Sequence, residues 1–329
     1  MADVAARVGV SRQLVGLVFR DQAGVSAESK ERILEAAREL GYSPNVAARA
    51  LRRESTRSIG ITFDSSHNTP VEIVDALYSV AHRAGYTIII SLVNTSRDDI
   101  AALDELIGYR CEALIIMSPS ADPGRLRAVA GRTPIVIVGR DVRAPRFAVV
   151  RARGDDGIES AVDLLVGLGH RDISFVNGTS MLEAELRFSG YRRAMSKWGL
   201  PERVIDVQGD YTEESGARAA DVLLQPGSLP TAVVCNNDQA ALGLIFALRA
   251  AGVNVPGRVS VTGYDDNRVA RLSFIDLTTV RLDPTEVAEA AIDAAIAMIH
   301  DPDAAPIASA ISARLVVRGT TAAPADLLA

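Results

Sequence analysis

The chain has 329 residues, of which 48% are hydrophobic and 23% are charged, and its formal net charge at pH 7 is −6. That length allows two or three domains with buried cores, and the composition is typical of a globular protein. No run approaches roughly 18 apolar residues and charged side chains interrupt the N-terminal segment, so neither a transmembrane helix nor a secretory signal peptide is expected, and a cytoplasmic location is predicted.

Cysteine and histidine give no sign of metal or nucleophile chemistry. Cys111 and Cys235 lie in apolar runs, which predicts buried, reduced thiols, and the four histidines show no metal-ligand spacing. No nucleophile–base pattern, G-x-G-x-x-G fingerprint or P-loop appears in the sequence. We therefore expect no enzyme activity, no metal and no cofactor.

The N-terminal 57 residues differ from the rest in charge and in pattern. They hold ten Lys and Arg against seven Asp and Glu, whereas the remainder holds 25 against 34. A basic module on an acidic body predicts an anionic partner for this region only. Helical patterns at about 2–8, 11–19 and 26–40, with Ser26 placed as a cap, predict a headpiece over 1–44 and a basic linker helix over 45–57.

The first two of these helices, joined by a turn at Gly9, are typical of a helix-turn-helix unit. Ser11 is placed to cap the second helix of the stretch DVAARVGVSRQLVGLVF, residues 3–19. Arg12 and Gln13 would project from the first turn of that helix, where arginine can read guanine and glutamine can read adenine. A solvated helix start with two arbitrary polar residues is the alternative at this point.

Beyond residue 57, short β-branched runs alternate with helical segments, which is typical of a doubly wound α/β fold with parallel sheets. Strands are predicted at 58–63, 86–92, 112–118, 134–139, 172–178, 231–237, 259–264 and 313–319, and helices at 71–84, 98–108, 156–169, 183–198, 213–224, 238–251 and 284–300. These units are too many for one sheet, so we expect two lobes of about six strands each with a cleft between them.

The order of the predicted strands and helices gives the expected boundaries of the two lobes. The first lobe is expected over 58–155 and 284–308, the second over 156–283 and 309–324, with a tail at 325–329. Ligands in such sheets bind outside the carboxyl ends of the strands, which predicts that NND (236–238) and GYDD (263–266) face the cleft.

A series of motifs runs in order from residue 3 to about residue 324. They are DVAARVGVS (3–11), VSAESKERILEAARELGYSPNVAARALR (25–52), SIGI (58–61), GLGHRDISFVNG (167–178), RFSGY (187–191), PTAVVCNNDQAALG (230–243), VSVTGYDD (259–266) and LTTVR (277–281). Together they resemble the lactose-repressor/galactose-repressor (LacI/GalR) family of bacterial transcription regulators. The resemblance implies a three-helix DNA-binding headpiece, a hinge helix and a two-lobed, periplasmic-binding-protein-like effector domain.

By that resemblance, the DNA-binding residues are Ser11, Arg12, Gln13, Arg20, Asn45, Arg49 and Leu51. Arg12 and Gln13 take the base-reading positions, and Asn45 with Arg49 falls on the hinge. Leu51 matches the leucine that wedges into the minor groove at the centre of a palindromic operator, and ordinary contact with the effector domain is its alternative role.

The recognition helix departs from the family pattern. The family usually has Thr-Val-Ser-Arg-Val after the two base readers, where this chain has Leu-Val-Gly-Leu-Val at positions 14–18. Leu17 removes a frequent DNA contact, Gly16 costs about 1 kcal/mol relative to alanine, and Arg20 is expected to restore a phosphate contact. The family usually has a capping residue and a hydrophobic residue before Asp-Val-Ala, which is consistent with a start codon slightly upstream of Met1.

The resemblance also implies an effector site. The arginine, asparagine and aspartate with which the family commonly holds sugar or nucleoside hydroxyls match Arg187, Asn237 and Asp265. Such a set suits a polyol, because a guanidinium fork and carboxylate or amide oxygens satisfy adjacent hydroxyls. Asp238, next to Asn237 in NND, falls in the same matched position, and a cap of the following helix is its alternative role; Asp266 is expected to be structural.

Three further effector positions follow from the resemblance, together with one departure. Tyr211 falls where an aromatic ring often stacks on a sugar, and Ser65 and Ser66 fall on the loop that closes over the ligand. Sugar-responsive members often have an aspartate before the arginine that corresponds to Arg140, where this chain has glycine. We hypothesise that Arg140 recognises an acidic or phosphorylated ligand, and an unchanged effector response of Arg140→Ala would contradict this.

The function that this reading implies is a dimeric, effector-controlled repressor that binds a palindromic operator, without a membrane partner. A dimer is expected because no C-terminal heptad segment for a tetramer is present. The alternative function is a cytoplasmic solute-binding sensor with a degenerate headpiece. The identity of the effector, the operator and the sign of the response stay open.

Overall fold

The computed structural model describes residues 1–19, 24–42, 55–64, 71–140, 142, 147–178, 182–207, 212–301 and 307–325. The chain forms two compact units, Met1–Thr56 and Arg57–Ala329.

The described part of the N-terminal unit consists of helices α1 (Ala2–Val8), α2 (Arg12–Phe19) and α3 (Ala27–Glu39). Val4, Val15 and Ile33, one from each helix, are fully buried against one another in its core. Such a small core stabilises each short helix by tertiary packing rather than by propensity. The three helices match the predicted ones.

The larger unit alternates strands and helices in chain order. Its strands are β1 (Ser58–Asp64), β2 (Thr87–Val93), β3 (Ala113–Met117), β4 (Ile135–Val138), β5 (Phe147–Ala152), β6 (Ile173–Asn177), β7 (Val204–Asp206), β8 (Ala232–Cys235), β9 (Ser260–Asp265), β10 (Thr278–Leu282), β11 (Ala308–Ile311) and β12 (Ala313–Val316). Its helices are α4 (Val71–Arg83), α5 (Asp99–Gly108), α6 (Pro123–Ala130), α7 (Gly154–Gly167), α8 (Leu182–Lys197), α9 (Glu213–Leu223), α10 (Asp238–Ala250) and α11 (Pro284–His300).

The strands form two sheets, and each sheet is the centre of one lobe. The first has the order β11-β5-β4-β3-β1-β2 and is parallel throughout. The second has the order β12-β10-β9-β8-β6-β7 and is parallel except where β12 pairs antiparallel with β10. In both sheets the central strands are continuous apolar runs such as ALIIM in β3 and AVVC in β8, because helices cover both faces.

Helices cover each face of each sheet. In the first lobe, α4 and α11 pack on one face and α5 with α6 on the other. In the second lobe, α7 and α8 pack on one face and α9 with α10 on the other. The predicted doubly wound α/β fold with two sheets is therefore confirmed.

The described chain passes between the lobes at three places: between β5 and α7, between β10 and α11, and between β11 and β12. β11 extends the first sheet to Ile311, three residues beyond the boundary expected at 308. Only Ser312 separates it from β12 in the second sheet. The sequence pattern does not predict β5, β7, β10, β11 or α6, and β7 and β11 are too short to show a periodic signal.

The C-terminal segment is fastened to the second lobe by His170, which is 1% exposed. Its Nε2 donates to the carbonyl of Ala322 over 2.8 Å, and its Nδ1 lies 3.0 Å from the hydroxyl of Thr231. Burial lowers the pKa of His170 below its ordinary value, so the folded protein disfavours the charged ring.

This burial predicts a pH dependence of stability. As the pH falls below about 6.5, the unfolded chain takes up a proton at His170 before the folded chain does, so the free energy of unfolding decreases. We expect urea unfolding to show this decrease between pH 7 and pH 5 in the wild type and a flatter profile in His170→Gln. Equal slopes in the two proteins would contradict the assignment.

Candidate functional site

The start of α2 presents two polar side chains on a capped turn. The hydroxyl oxygen of Ser11 accepts a hydrogen bond from the backbone N–H of Leu14 over 3.1 Å, which confirms the predicted cap. Ser11, Arg12 and Gln13 are all exposed. A capped helix start with an exposed guanidinium and an exposed amide can offer hydrogen bonds to base edges and to a phosphate.

The rest of the N-terminal unit holds this turn in place. Gly9 ends α1 with φ of 75°, the left-handed conformation that reverses the chain toward α2. Arg32 of α3 donates to the carbonyl of Val8 over 3.1 Å, and Arg7 pairs with Glu39 at 3.1 Å. These contacts join the end of α1 to α3, and the shared core of Val4, Val15 and Ile33 holds α2 against both helices.

The unusual centre of α2 contributes to packing. Val15, Gly16 and Val18 are buried, and Leu17 is half-buried. The remaining predicted DNA-binding positions lie outside the described residues; they are Arg20, Asn45, Arg49 and Leu51.

In the larger unit, the order of strands locates the binding crevices. The strand order reverses between β1 and β3 in the first sheet and between β6 and β8 in the second. Ligands in open α/β sheets bind beyond the carboxyl ends of the strands at such a reversal. In the second lobe these ends carry Asn177, Asn236 and Asn237, and the neighbouring β9 ends at Asp265.

Arg187 of α8 contacts several of the residues at these strand ends. Its guanidinium carbon lies 3.9 Å from the centre of the Tyr264 ring, and Nη1 donates to the carbonyl of Asn236 over 2.6 Å. Its Nη2 lies 3.4 Å from a carboxylate oxygen of Asp265. The side chains of Arg187 and Asp265 are 14% and 19% exposed, so a guanidinium and a carboxylate meet at a largely shielded place. The structure thus brings together two of the predicted effector residues.

The backbone at Asp265 and Asp266 is strained, with φ of 108° and 52°. Non-glycine residues adopt such angles at a cost and keep them only where their surroundings hold them. Asp266 is fully buried, and its carboxylate lies 2.7 Å from Arg318 and 3.3 Å from Arg271. Asp266 therefore has the structural role expected from the sequence.

Asn237, not Asp238, caps α10. Its backbone is extended, so its Oδ1 can accept from the N–H of Ala240 over 2.9 Å, and its Nδ2 donates to Gln239 over 3.1 Å. Asp238 is the first helical residue and is fully buried, accepting from Thr279 over 2.5 Å and from the N–H of Asn267 over 2.8 Å. Burial and the nearby Asp265 raise the pKa of the Asp238 carboxyl. The helix-capping role suggested as the alternative for Asp238 therefore belongs to Asn237.

Arg140 holds a loop of the first lobe. Its Nη1 donates to the carbonyl of Pro119 over 2.9 Å and lies 3.4 Å from that of Ala121. The buried carboxylate of Asp99 accepts from the N–H groups of Ser120 and Ala121 in the same loop. The guanidinium of Arg140 is therefore engaged in part by the protein itself. Ser65, Ser66 and Tyr211 lie outside the described residues.

Two negative findings apply to the described part of the chain. Within it, His, Cys, Asp and Glu side chains form no cluster that could hold a metal ion. No helix there has the length and apolarity needed to cross a membrane. Cys111 and Cys235 are both buried thiols, as predicted, and burial raises the pKa of Cys111 to about 12.

Sequence reasoning did not identify Tyr264 as the ring beneath Arg187. The motif GYDD, which contains Tyr264, points to this strand end, but which ring supports which arginine depends on the packing of α8 against the sheet. The partners of Asp266 were also missed, because Arg271 and Arg318 lie in stretches without a recognisable motif.

Comparison with known proteins agrees with the description of the N-terminal unit and with that of the larger unit. Residues 1–45 match the family model described as bacterial regulatory proteins, lacI family, and residues 162–321 match the periplasmic binding protein-like domain. The HTH-type transcriptional regulator AscG of Escherichia coli K12 is 30% identical, with 98% of each chain covered.

Two solved structures are similar over most of the chain. The structure of a LacI transcriptional regulator from a Rhodococcus species is 35% identical with a TM-score of 0.77, covering 81% of this chain and 98% of that one. The lac repressor dimer bound to operator and the anti-inducer ONPF is 29% identical with a TM-score of 0.82, covering 98% of both chains.

Proposed function

Because the chain belongs to the LacI family of bacterial regulatory proteins, we propose that it is a transcription repressor whose binding to an operator is controlled by a small effector between its two lobes. The observation that carries the proposal is that one chain combines two sites. Arg12 and Gln13 are exposed on a capped helix start, and Arg187 meets Asp265 at the carboxyl ends of a parallel sheet. The first suits DNA and the second suits a hydroxylated ligand.

The proposed domain arrangement follows the expected division. Residues 1–44 are the DNA-binding headpiece, 45–57 the hinge helix, 58–155 with 284–308 the first effector lobe, 156–283 with 309–324 the second, and 325–329 a tail. The division into units at Thr56 and the three passages between the sheets support these boundaries within a few residues. Ile311, rather than residue 308, is the better end of the first lobe, because β11 pairs with β5 through Ile311.

The proposed DNA contacts are Ser11, Arg12, Gln13, Arg20, Asn45, Arg49 and Leu51. The lac repressor structure is a dimer bound to operator, and we propose the same assembly here, with two headpieces reading the two halves of a palindromic site. A chain that works on chromosomal DNA in a bacterium acts in the cytoplasm, and its described sites suit binding rather than an enzymatic reaction.

The proposed effector is a sugar or a related polyol. Arg187 and Asp265 supply a fork of donors next to acceptor oxygens, and Ser65, Ser66, Arg140, Tyr211 and Asn237 complete the proposed set. Asn237 would contact the ligand while its Oδ1 caps α10, which makes its orientation rigid. Effector binding would change the angle between the lobes and thereby the pairing of the hinge helices on the operator.

Fluorescence anisotropy on the DNA upstream of the protein's own coding sequence tests this function. At fixed salt concentration, we expect tight and specific binding to this DNA. We also expect the affinity to change when at least one sugar of a panel is added, the panel being ribose, lactose, cellobiose and their phosphorylated forms. Absence of specific binding, together with a sugar that raises the melting temperature, would instead support a solute-binding sensor.

A further inference from the structure

An ion pair joins the two lobes near the strained turn at Asp265 and Asp266. Nη2 of Arg271, in the segment between β9 and β10 of the second lobe, lies 2.9 Å from Oε2 of Glu72. Glu72 is in the first turn of α4, in the first lobe. Both side chains are 36% exposed, so the pair is at the surface but not fully solvated.

The same guanidinium also holds the strained turn. Its Nε lies 3.3 Å from Oδ2 of Asp266, and its Nη2 donates to the carbonyl of Asp266 over 2.5 Å. On the other side, Arg318 lies 2.7 Å from Oδ1 of Asp266. The adjacent residue, Asp265, is the one that meets Arg187 in the crevice. The orientation of the Asp265 carboxylate therefore depends on how Asp266 is held.

These contacts form a continuous path. It runs from Asp265 through the backbone to Asp266, from there to Arg271, and across the lobe boundary to Glu72. In sequence, α4 follows directly after residues 65–70, which contain the proposed effector positions Ser65 and Ser66. A displacement of α4 relative to the second lobe by a few ångströms would break the pair, because it depends on a contact distance.

We propose that Arg271 is a positioning residue that couples the effector-facing turn at Asp265 and Asp266 to the first lobe through its ion pair with Glu72. This inference rests on the proposed function, in which Asp265 contacts the effector. In this arrangement the lobe angle and the geometry of the binding turn change together, so a ligand that fits only one geometry of the turn also selects one lobe angle.

A second ion pair between the lobes provides a matched control. Arg314 of β12 lies 3.0 Å from Glu286 of α11. Both residues are close to passages of the chain between the lobes, at Ser312 and Asp283. Because Arg314 and Glu286 lie next to these passages, we expect a rotation of the lobes about them to change the Arg314–Glu286 distance little and to open the Glu72–Arg271 pair.

Hydrogen exchange of the ligand-free, full-length protein tests the coupling. Glu72→Gln removes the charge in the first lobe and leaves Arg271 to neutralise Asp266, whereas substituting Arg271 would risk unfolding. We expect exchange at residues 266–276 to become about 2- to 5-fold faster in Glu72→Gln, as for the loss of a partly exposed ion pair, and to stay unchanged in Glu286→Gln. Unchanged exchange in Glu72→Gln, or the same change in both variants, would overturn the inference.

A second measurement uses the sugar panel and the upstream DNA. For a sugar that acts on the wild type, the concentration for half-maximal effect should shift about 2- to 5-fold in Glu72→Gln and stay unchanged in Glu286→Gln. If no sugar acts on the wild type, the proposed effector class is wrong, and hydrogen exchange still decides whether Arg271 couples the lobes. If light scattering showed a different molar mass for Glu72→Gln than for the wild type, the oligomeric state would have changed. The ion pair would then join two subunits rather than the two lobes of one chain, which would overturn the proposal.

Discussion

Replacing Arg12 by alanine is expected to weaken specific operator binding by about 10- to 100-fold and to relax the preference for the base that it contacts. The guanidinium is exposed on the first turn of α2, where Ser11 caps the helix and Gly9, Arg32 and the helix core fix its direction. An arginine held this way can donate two hydrogen bonds to one guanine, and alanine can donate none. Anisotropy titrations on the upstream DNA and on a scrambled duplex measure both effects.

Arg38→Ala is the matched control for charge. Arg38 is exposed in the last turn of α3, in the same unit, so its removal lowers the positive charge by the same amount. A general electrostatic effect would weaken binding to the upstream and scrambled duplexes alike in both variants. If Arg12→Ala lost no more specific binding than Arg38→Ala, α2 would not be the reading helix.

Arg187→Ala should strongly weaken the response to the effector while leaving operator binding without effector within about 3-fold of the wild type. The side chain stacks on Tyr264, donates to the Asn236 carbonyl and faces Asp265, so its removal takes away a fork of donors and the partner of a shielded carboxylate. Loss of two charge-assisted hydrogen bonds corresponds to a rise of about 100-fold or more in the sugar concentration needed.

Arg192→Ala serves as the control on the same helix. Arg192 is also in α8, but it is 60% exposed and pairs with Glu202 at 3.2 Å. We expect this variant to respond to the effector as the wild type does. An Arg187→Ala protein that still responds at wild-type concentrations would place the effector site elsewhere.

The sequence was most informative where burial dictates the residue type. Continuous apolar runs such as those of β3, β4 and β8 predicted strands because parallel strands are covered on both faces. The caps at Ser11 and Ser26 could also be predicted, since a hydroxyl that accepts from a backbone N–H near the helix start is a local feature.

Features that depend on contacts between distant segments could not be predicted. Which of Asn237 and Asp238 caps α10 depends on backbone angles that either residue could adopt. The stacking of Arg187 on Tyr264 requires the helix from one motif to lie over the strand end of another. The pairing of Arg271 with Glu72 requires the two lobes to be placed against each other, and no local pattern encodes this.

The one-residue connection between β11 and β12 limits how the lobes can move. Like Arg153 and Asp283 in the other two passages, Ser312 is the single residue between two elements, and here strands paired in different sheets lie immediately on either side of it. Rotation about an axis through such a short connection leaves little freedom for sliding, so the relative motion is close to a single angular coordinate. The displacement of any atom then grows with its distance from that axis. A ligand at the far side of the crevice acts with a long lever arm, and its bulk sets the angle at which closure stops. Two ligands held by the same side chains but differing in size would therefore fix different angles, and so could act on the operator complex in opposite directions.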